Sequence, residues 1–225
     1  MSTLLGMFAK YWEPGEVKTR LAASIGPLRA AGVQRLFVET LARRFGAVAD
    51  QRLLVHTPAG KRDEFRRALG SQWELEVQAA GDLGERMQRF FTAALARAER
   101  VVLIGSDSPD LPVAFLHEAF AALETHDVVL GPAADGGYYL IGAASRAPPV
   151  FDGIAWSTPD VWPQTRARLQ TAGTAWHALP EWYDVDDQTG LKALAFRLGD
   201  AARTDRELEA LLGGLIVLLV DLPQA

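Results

Sequence analysis

Four groups of polar residues in this chain have the types and spacing for phosphate or metal chemistry. The first is Lys10-Tyr-Trp-Glu-Pro-Gly15-Glu-Val-Lys18-Thr19-Arg20-Leu. Its glycine permits close backbone approach, and Lys10, Lys18 and Arg20 can donate to an oxyanion. It lacks the Gly-Lys-Ser/Thr ending of a Walker loop, and no Gly-x-Gly-x-x-Gly is present. A solvated basic loop fits the spacing equally well. The second group is Gly105-Ser106-Asp107-Ser-Pro-Asp110. An aspartate at the end of a buried strand is costly unless a cation or hydrogen bonds compensate it, and a hard divalent metal is a natural partner for Asp107. Asp107 could instead cap a turn. For Asp110 the preferred reading is structural: with Pro112 it opens the next helix. The third group, Gly131-Pro-Ala-Ala-Asp135-Gly136-Gly137-Tyr138-Tyr139, reads first as a hairpin turn, although its glycines and tyrosines could also wall a pocket. The fourth is Asp184-Val-Asp186-Asp187, three carboxylates that repel one another unless a cation or a helix start absorbs their charge. Asp187 suits a helix cap, and Asp186 is the better second metal ligand, facing Asp107.

These groups are positioned by short apolar runs alternating with amphipathic stretches. Strands are expected over Leu4–Ala9, Leu53–His56, Trp73–Val77, Val101–Gly105, Val128–Leu130, Tyr138–Ile141 and Ala175–Leu179. Helices are expected over Leu28–Phe45, Lys61–Leu69, Leu83–Ala98 (capped by Asp82), Pro112–Leu123, Pro159–Leu169 and Leu191–Leu198. Strands separated by helices of this length imply right-handed crossovers and a mainly parallel sheet. Ligands then bind beyond the carboxyl ends of the strands, where the first and second groups fall.

The 225 residues carry 23 basic and 28 acidic side chains, a net charge of −5 that argues against a nucleic-acid partner. With 49% hydrophobic and 23% charged residues, the chain can bury a sizeable core. The absence of cysteine excludes disulfides, thiolate zinc sites and cysteine nucleophiles. It also fits a cytoplasmic location, as does the lack of a basic leader or cleavage site near Met1–Lys10. The four histidines have no ligand spacing, and no Gly-x-Ser-x-Gly elbow is present. No run reaches the roughly 20 apolar residues of a membrane span. The longest, Leu211–Val220, is expected to be buried, and its apolar character is compatible with a homodimer.

Taken together, the groups resemble a bacterial glycosyltransferase-like family that is similar to the arsenosugar-biosynthesis glycosyltransferases and, more distantly, to 2-phospho-L-lactate guanylyltransferase. Ala9-Lys10 with Pro14-Gly15-Glu-Val-Lys18-Thr19-Arg20-Leu21 resembles the family's "AK-x-P-x-PG-x-VKTRL" opening. In the same order, Gly81–Met87 resembles "GDLGERM", Ile104–Leu111 "IGTDCPDL" and Asp127–Gly142 "DVVLGPAEDGGYYLIG". Phe151–Pro159 resembles "F-x-GIPWSTP", and Leu179–Asp186 "LP-x-L-x-DVD". The common "DVDTPEDL" is here Asp184-Val-Asp186-Asp187-Gln-Thr-Gly-Leu, and the chain after Arg203 has no counterpart.

The resemblance implies a three-layer α/β/α sandwich with a mixed, mostly parallel sheet, the glycosyltransferase A or nucleotide-diphosphosugar transferase fold. That domain would span residues 1–203, with 204–225 an apolar tail packed on it or at an interface. It implies a divalent metal, Mg2+ or Mn2+, on Asp107 and Asp186, and nucleotide or phosphate contacts from Lys10, Gly15, Lys18, Thr19, Arg20, Arg86 and Ser106. Lys18 and Arg20 would assist departure of the leaving group from the side opposite the metal. Asp135 or another carboxylate would deprotonate the acceptor, and Gly136, Gly137, Tyr138, Trp156, Ser157 and Thr158 would form the acceptor or sugar subsite. The expected reaction is glycosyl transfer from a nucleotide sugar to a small acceptor. The alternatives are nucleotidyl transfer with release of pyrophosphate, and a nucleotide-binding module without turnover.

Overall fold

The computed structural model describes residues 1–220. The strands are β1 (Thr3–Lys10), β2 (Gln51–Thr57), β3 (Glu74–Val77), β4 (Arg100–Ile104), β5 (Val128–Pro132), β6 (Tyr138–Ala144) and β7 (Trp176–Ala178). They form one sheet in the order β3-β2-β1-β4-β6-β5-β7. Every pairing is parallel except those of β6, which runs against β4 and β5. The chain winds outward from β1 through β2 to β3, then returns to place β4 on β1's other side. The β1–β4 boundary is therefore the point where winding direction reverses, which opens a crevice at the strands' carboxyl ends.

Alternation along the central strands fills two layers of core. In β4, Val102 and Ile104 point to one face, and Val101 and Leu103 to the other. The first face is covered by α2 (Pro27–Arg44), α3 (Arg62–Leu69) and α5 (Val113–Ala122) through Leu41, Phe65 and Leu116. The second is covered by α4 (Leu83–Ala94) and α6 (Val161–Thr171) through Met87, Phe91 and Leu169. The expected three-layer sandwich is the one observed. Asp82 starts α4 with a reciprocal capping box: its carboxylate accepts from Glu85 N, and Glu85 accepts from Asp82 N. Asp187 starts α7 (Gln188–Ala201) by accepting from Gly190 N, the cap expected of it.

Two helices go beyond the sequence reading. The stretch read as a basic loop becomes helical at once: α1 spans Thr19–Ile25, so Thr19 and Arg20 lie in its first turn. The reason is the apolar pair Leu21 and Ile25, one helical turn apart and both buried. The second is α8 (Arg206–Leu219), capped by Asp205. Its Leu208, Leu211 and Leu215 join Leu21, Phe37, Val185 and Leu194 in a third core beside the sheet. Residues 221–225 of the expected tail lie outside the described residues. No helix of the described residues is long and apolar enough to cross a membrane.

Candidate active site

A cavity of about 470 Å3 lies at the carboxyl ends of β1 and β4. Because β6 is antiparallel, its first residues, Tyr138 and Tyr139, reach the same edge and form part of the wall. Leu83, Arg86 and Met87 of α4 line the cavity as well. Its lining combines apolar and aromatic side chains, among them Phe8, Leu83 and Tyr138, with a charged end where Lys18, Asp107, Asp184 and Asp186 gather.

Lys18 organises the charged end. It holds a left-handed backbone conformation, φ 47° and ψ 45°, which L-residues adopt only at a cost of about 1–2 kcal/mol. Its side chain is only 3% exposed. The ammonium donates to Asp107 Oδ1, to Asp186 Oδ1 at 3.0 Å and to the Val185 carbonyl at 2.7 Å. Arg20 Nη2 reaches the other oxygen of Asp186 at 2.8 Å. Burial alone would lower the Lys18 pKa, but the two carboxylates outweigh it and raise it. Asp186 is the converse: burial pushes it up, and Lys18 and Arg20 pull it below the ordinary range.

The expectation that Lys18 and Arg20 act from the side opposite the metal ligands is therefore corrected. Both cations sit on the carboxylates themselves, because Lys18 starts a helix whose Leu21 is buried in the same third core as Val185, the residue before Asp186.

Asp184 is the third carboxylate. It accepts from Ser108 Oγ at 2.6 Å. Its pKa is pushed up to about 6, first by burial and then by the charges of Asp107, Asp186 and Asp135, against the pull of Ser108. Tyr138 and Tyr139 are held neutral, since burial drives both phenols far up.

Of the remaining expected residues, Lys10, Arg86 and Ser106 also line the cavity. Lys10 Nζ donates to the Glu16 carbonyl at 2.6 Å, and Arg86 Nε to the Gly81 carbonyl at 2.7 Å. Gly15, Thr19, Arg20, Asp135, Gly136, Gly137, Trp156, Ser157 and Thr158 do not border it. Asp135 Oδ1 accepts from Gly137 N at 2.9 Å, which makes it a turn residue in this structure. Trp156 stands edge-on to Tyr138, ring centroids 6.3 Å apart, behind the wall. Thr158 Oγ1 donates to the Ala155 carbonyl.

The structural reading of Asp110 also changes. The cap of α5 is Pro112, with no side-chain bond. Asp110 is instead buried and bonded to Tyr183 and Arg197.

Sequence reading missed Gln34, which lines the cavity, is 3% exposed and donates to Ser106 Oγ at 3.0 Å. The available signal was an amide at a core-facing position of α2, in step with Val38, Leu41 and Phe45.

The charged end suits a divalent cation. Oxygens of Asp107 and Asp186 both contact the single ammonium of Lys18, so one small cation can touch both. Among the described residues no group of three or more histidine or carboxylate side chains could hold a metal. Two carboxylates with the rest supplied by water and substrate phosphate is the arrangement Mg2+ commonly takes.

Comparison with known proteins agrees with this fold. A bacterial family described as "Uncharacterized protein conserved in bacteria (DUF2064)" matches residues 40–158, a span that includes Asp107 and Asp135 but not Lys18 or Asp186. The chain is 36% identical to a protein of Desulfovibrio desulfuricans G20 named as a candidate nucleotide-diphospho-sugar transferase. Their structures superpose with a TM-score of 0.89 over 98% of each chain. A nucleotidyl transferase from Methanothermobacter thermautotrophicus is 14% identical, with a TM-score of 0.58 over 91% of this chain and 99% of that one. CMP:2-keto-3-deoxy-manno-octonic acid synthetase, solved with CTP, is 12% identical, with a TM-score of 0.56 over 89% and 100%. At 14% and 12% the likeness is one of fold. No curated protein matches the sequence.

Proposed function

The chain belongs to the conserved bacterial family DUF2064, and from that premise we propose that it is a metal-dependent transferase acting on a nucleotide-activated donor. The reaction proposed is glycosyl transfer from a nucleotide sugar to a small acceptor. The observation that carries this reading is the convergence of Asp107 and Asp186 on one cation at the edge of the cavity. The 36% identical relative named as a candidate nucleotide-diphospho-sugar transferase supports the choice of donor.

In this reading Asp107 and Asp186 hold Mg2+ or Mn2+. When bound, the cation neutralises charge on the diphosphate that leaves with the nucleoside. Lys18 and Arg20 supply fixed positive charge at the same place, already oriented by the carboxylates they bind, so little reorganisation is needed as charge develops. Lys10 and Arg86 add positive charge along the cavity, and Ser106 adds a hydroxyl beside Asp107. Gly15, at φ +85°, shapes the loop that leads to Lys18, and Thr19 opens the helix that follows it. The aromatic wall, with Tyr138 backed by Trp156, receives the sugar or acceptor. Gly136 and Gly137 immediately precede Tyr138, and Ser157 and Thr158 immediately follow Trp156, so their turns place that pair. Acceptor deprotonation falls to a carboxylate on the cavity. Asp184 borders it, whereas Asp135 is engaged by its own turn.

The test is product analysis with a panel of nucleotide sugars and nucleoside triphosphates in Mg2+ or Mn2+. Release of nucleoside diphosphate from a sugar nucleotide, lost in Asp107→Ala, supports glycosyl transfer. Release of pyrophosphate from a triphosphate supports nucleotidyl transfer instead, while full turnover by Asp107→Ala removes the metal assignment.

A further inference from the structure

The two segments that carry the cation-facing carboxylates are tied together a second time, away from the cavity. Asp110 follows Asp107 by three residues but does not border the cavity, and its side chain is 5% exposed. It accepts from the Tyr183 hydroxyl at 2.6 Å and from Arg197 Nε at 3.0 Å. Arg197 comes from α7 and lays its guanidinium over the Tyr183 ring, 3.2 Å from the centroid. Tyr183 immediately precedes Asp184.

Three cross-ties thus join residues 107–110 to residues 183–185. The Asp107 carbonyl accepts from Val185 N at 2.9 Å, Ser108 Oγ donates to Asp184, and Tyr183 donates to Asp110. Numbering rises along one segment as it falls along the other. The segments therefore lie side by side and antiparallel, with Asp107 and Asp186 at the same end.

Stability alone is a poor reason for this cluster. A buried ion pair generally does no better than apolar side chains of the same volume. Here, moreover, Asp110 Oδ1 and Arg197 Nη2 are buried without a partner among the described residues. What the cluster does accomplish is to fix one loop against the other. Groups behind metal ligands orient them, and losing such a group typically weakens metal binding 10- to 100-fold.

We infer that Asp110, Tyr183 and Arg197 are positioning residues that set the spacing between the Asp107 and Asp186 carboxylates for a divalent cation. The inference rests on the metal reading proposed above. It is tested by titrating the full chain with Mn2+ alone, reading free Mn2+ by electron paramagnetic resonance, for wild type, Tyr183→Phe and Asp110→Asn. Tyr183→Phe deletes only the phenol oxygen and keeps the ring under Arg197. Both variants are expected to bind Mn2+ at least about tenfold more weakly than wild type. Melting in EDTA provides the structural control, and Tyr183→Phe is expected to stay folded. Binding by folded Tyr183→Phe within about twofold of wild type would overturn the inference whatever its melting temperature. So would failure of wild type to bind Mn2+, and that result alone would also remove the metal reading.

Discussion

Lys18 Nζ donates to Asp186 Oδ1 at 3.0 Å across 168 residues of sequence, so the first crossover and the loop between β7 and α7 meet at one charge. The same ammonium contacts Asp107. A buried lysine that neutralises two carboxylates competes with any cation for their oxygens. In the metal reading, Lys18→Met therefore binds Mn2+ several-fold more tightly than wild type in the absence of nucleotide, yet loses turnover because the fixed charge is gone. Calorimetric Mn2+ titration checks the first part. Weaker Mn2+ binding by Lys18→Met would contradict it.

Asp184 gives the stability curve a sign. Its pKa rises from the ordinary 3.8 to about 6 on folding, so between those values the native protein holds a proton that the unfolded chain has released. Stability contributed by this group is full below pH 3.8 and falls as pH rises to about 6. Asp184→Asn removes the loss. Urea unfolding in EDTA should show a stabilisation relative to wild type that grows from pH 4 to pH 6 and then levels, at up to roughly 3 kcal/mol. A difference that is flat with pH would contradict the assignment.

Gly136 is held at φ +92°, and a Cβ built there would lie 2.6 Å from the backbone of Pro159. Backbone cannot yield as a side-chain tip can. Gly136→Ala is expected to destabilise the protein by about 2–3 kcal/mol, through both the left-handed conformation and the clash. Denaturant midpoints at constant slope would show it.

Leu215 lies in α8 and is buried with Leu21 and Val185. We propose that residues 204–220 are an integral support of the site rather than an appendage to a domain ending at 203. Leu215→Ala should then cost about 2–5 kcal/mol by opening a cavity in that core. Thermal denaturation measures this, and a loss under 1 kcal/mol would mark the helix as peripheral.

The sheet and its layers were legible because their signals are local. Buried strands such as Val101–Ile104 are continuous apolar runs, and α2 shows its apolar face at helical spacing. Asp107 stood out for a related reason, as a charge where an apolar strand ends. The site's assembly was not legible in the same way. Nothing near Lys18 in sequence says that its ammonium will meet Asp107 and Asp186, because that contact follows from a core that gathers Leu21 from one end of the chain with Val185 and Leu215 from the other. Asp110 was misread for the same cause. An aspartate two residues ahead of a helix-opening proline is a fair cap, and its true partners, Tyr183 and Arg197, are 73 and 87 residues away. Local pattern reports which residues are unusual, whereas tertiary packing decides which of them meet.

The central claim is that Asp107 and Asp186 form a cation site that binds the phosphates of a nucleotide donor. It is tested most directly by thermal denaturation with a panel of nucleotide sugars, nucleoside diphosphates and triphosphates, each with and without Mg2+ or Mn2+, for wild type and Asp107→Ala. A ligand that binds only the folded state adds about 2.7 kcal/mol at a hundredfold excess over its dissociation constant, which a melting curve resolves. The account predicts a shift that requires the metal and disappears in Asp107→Ala. A nucleotide shift of equal size without metal, or one retained in Asp107→Ala, would contradict it.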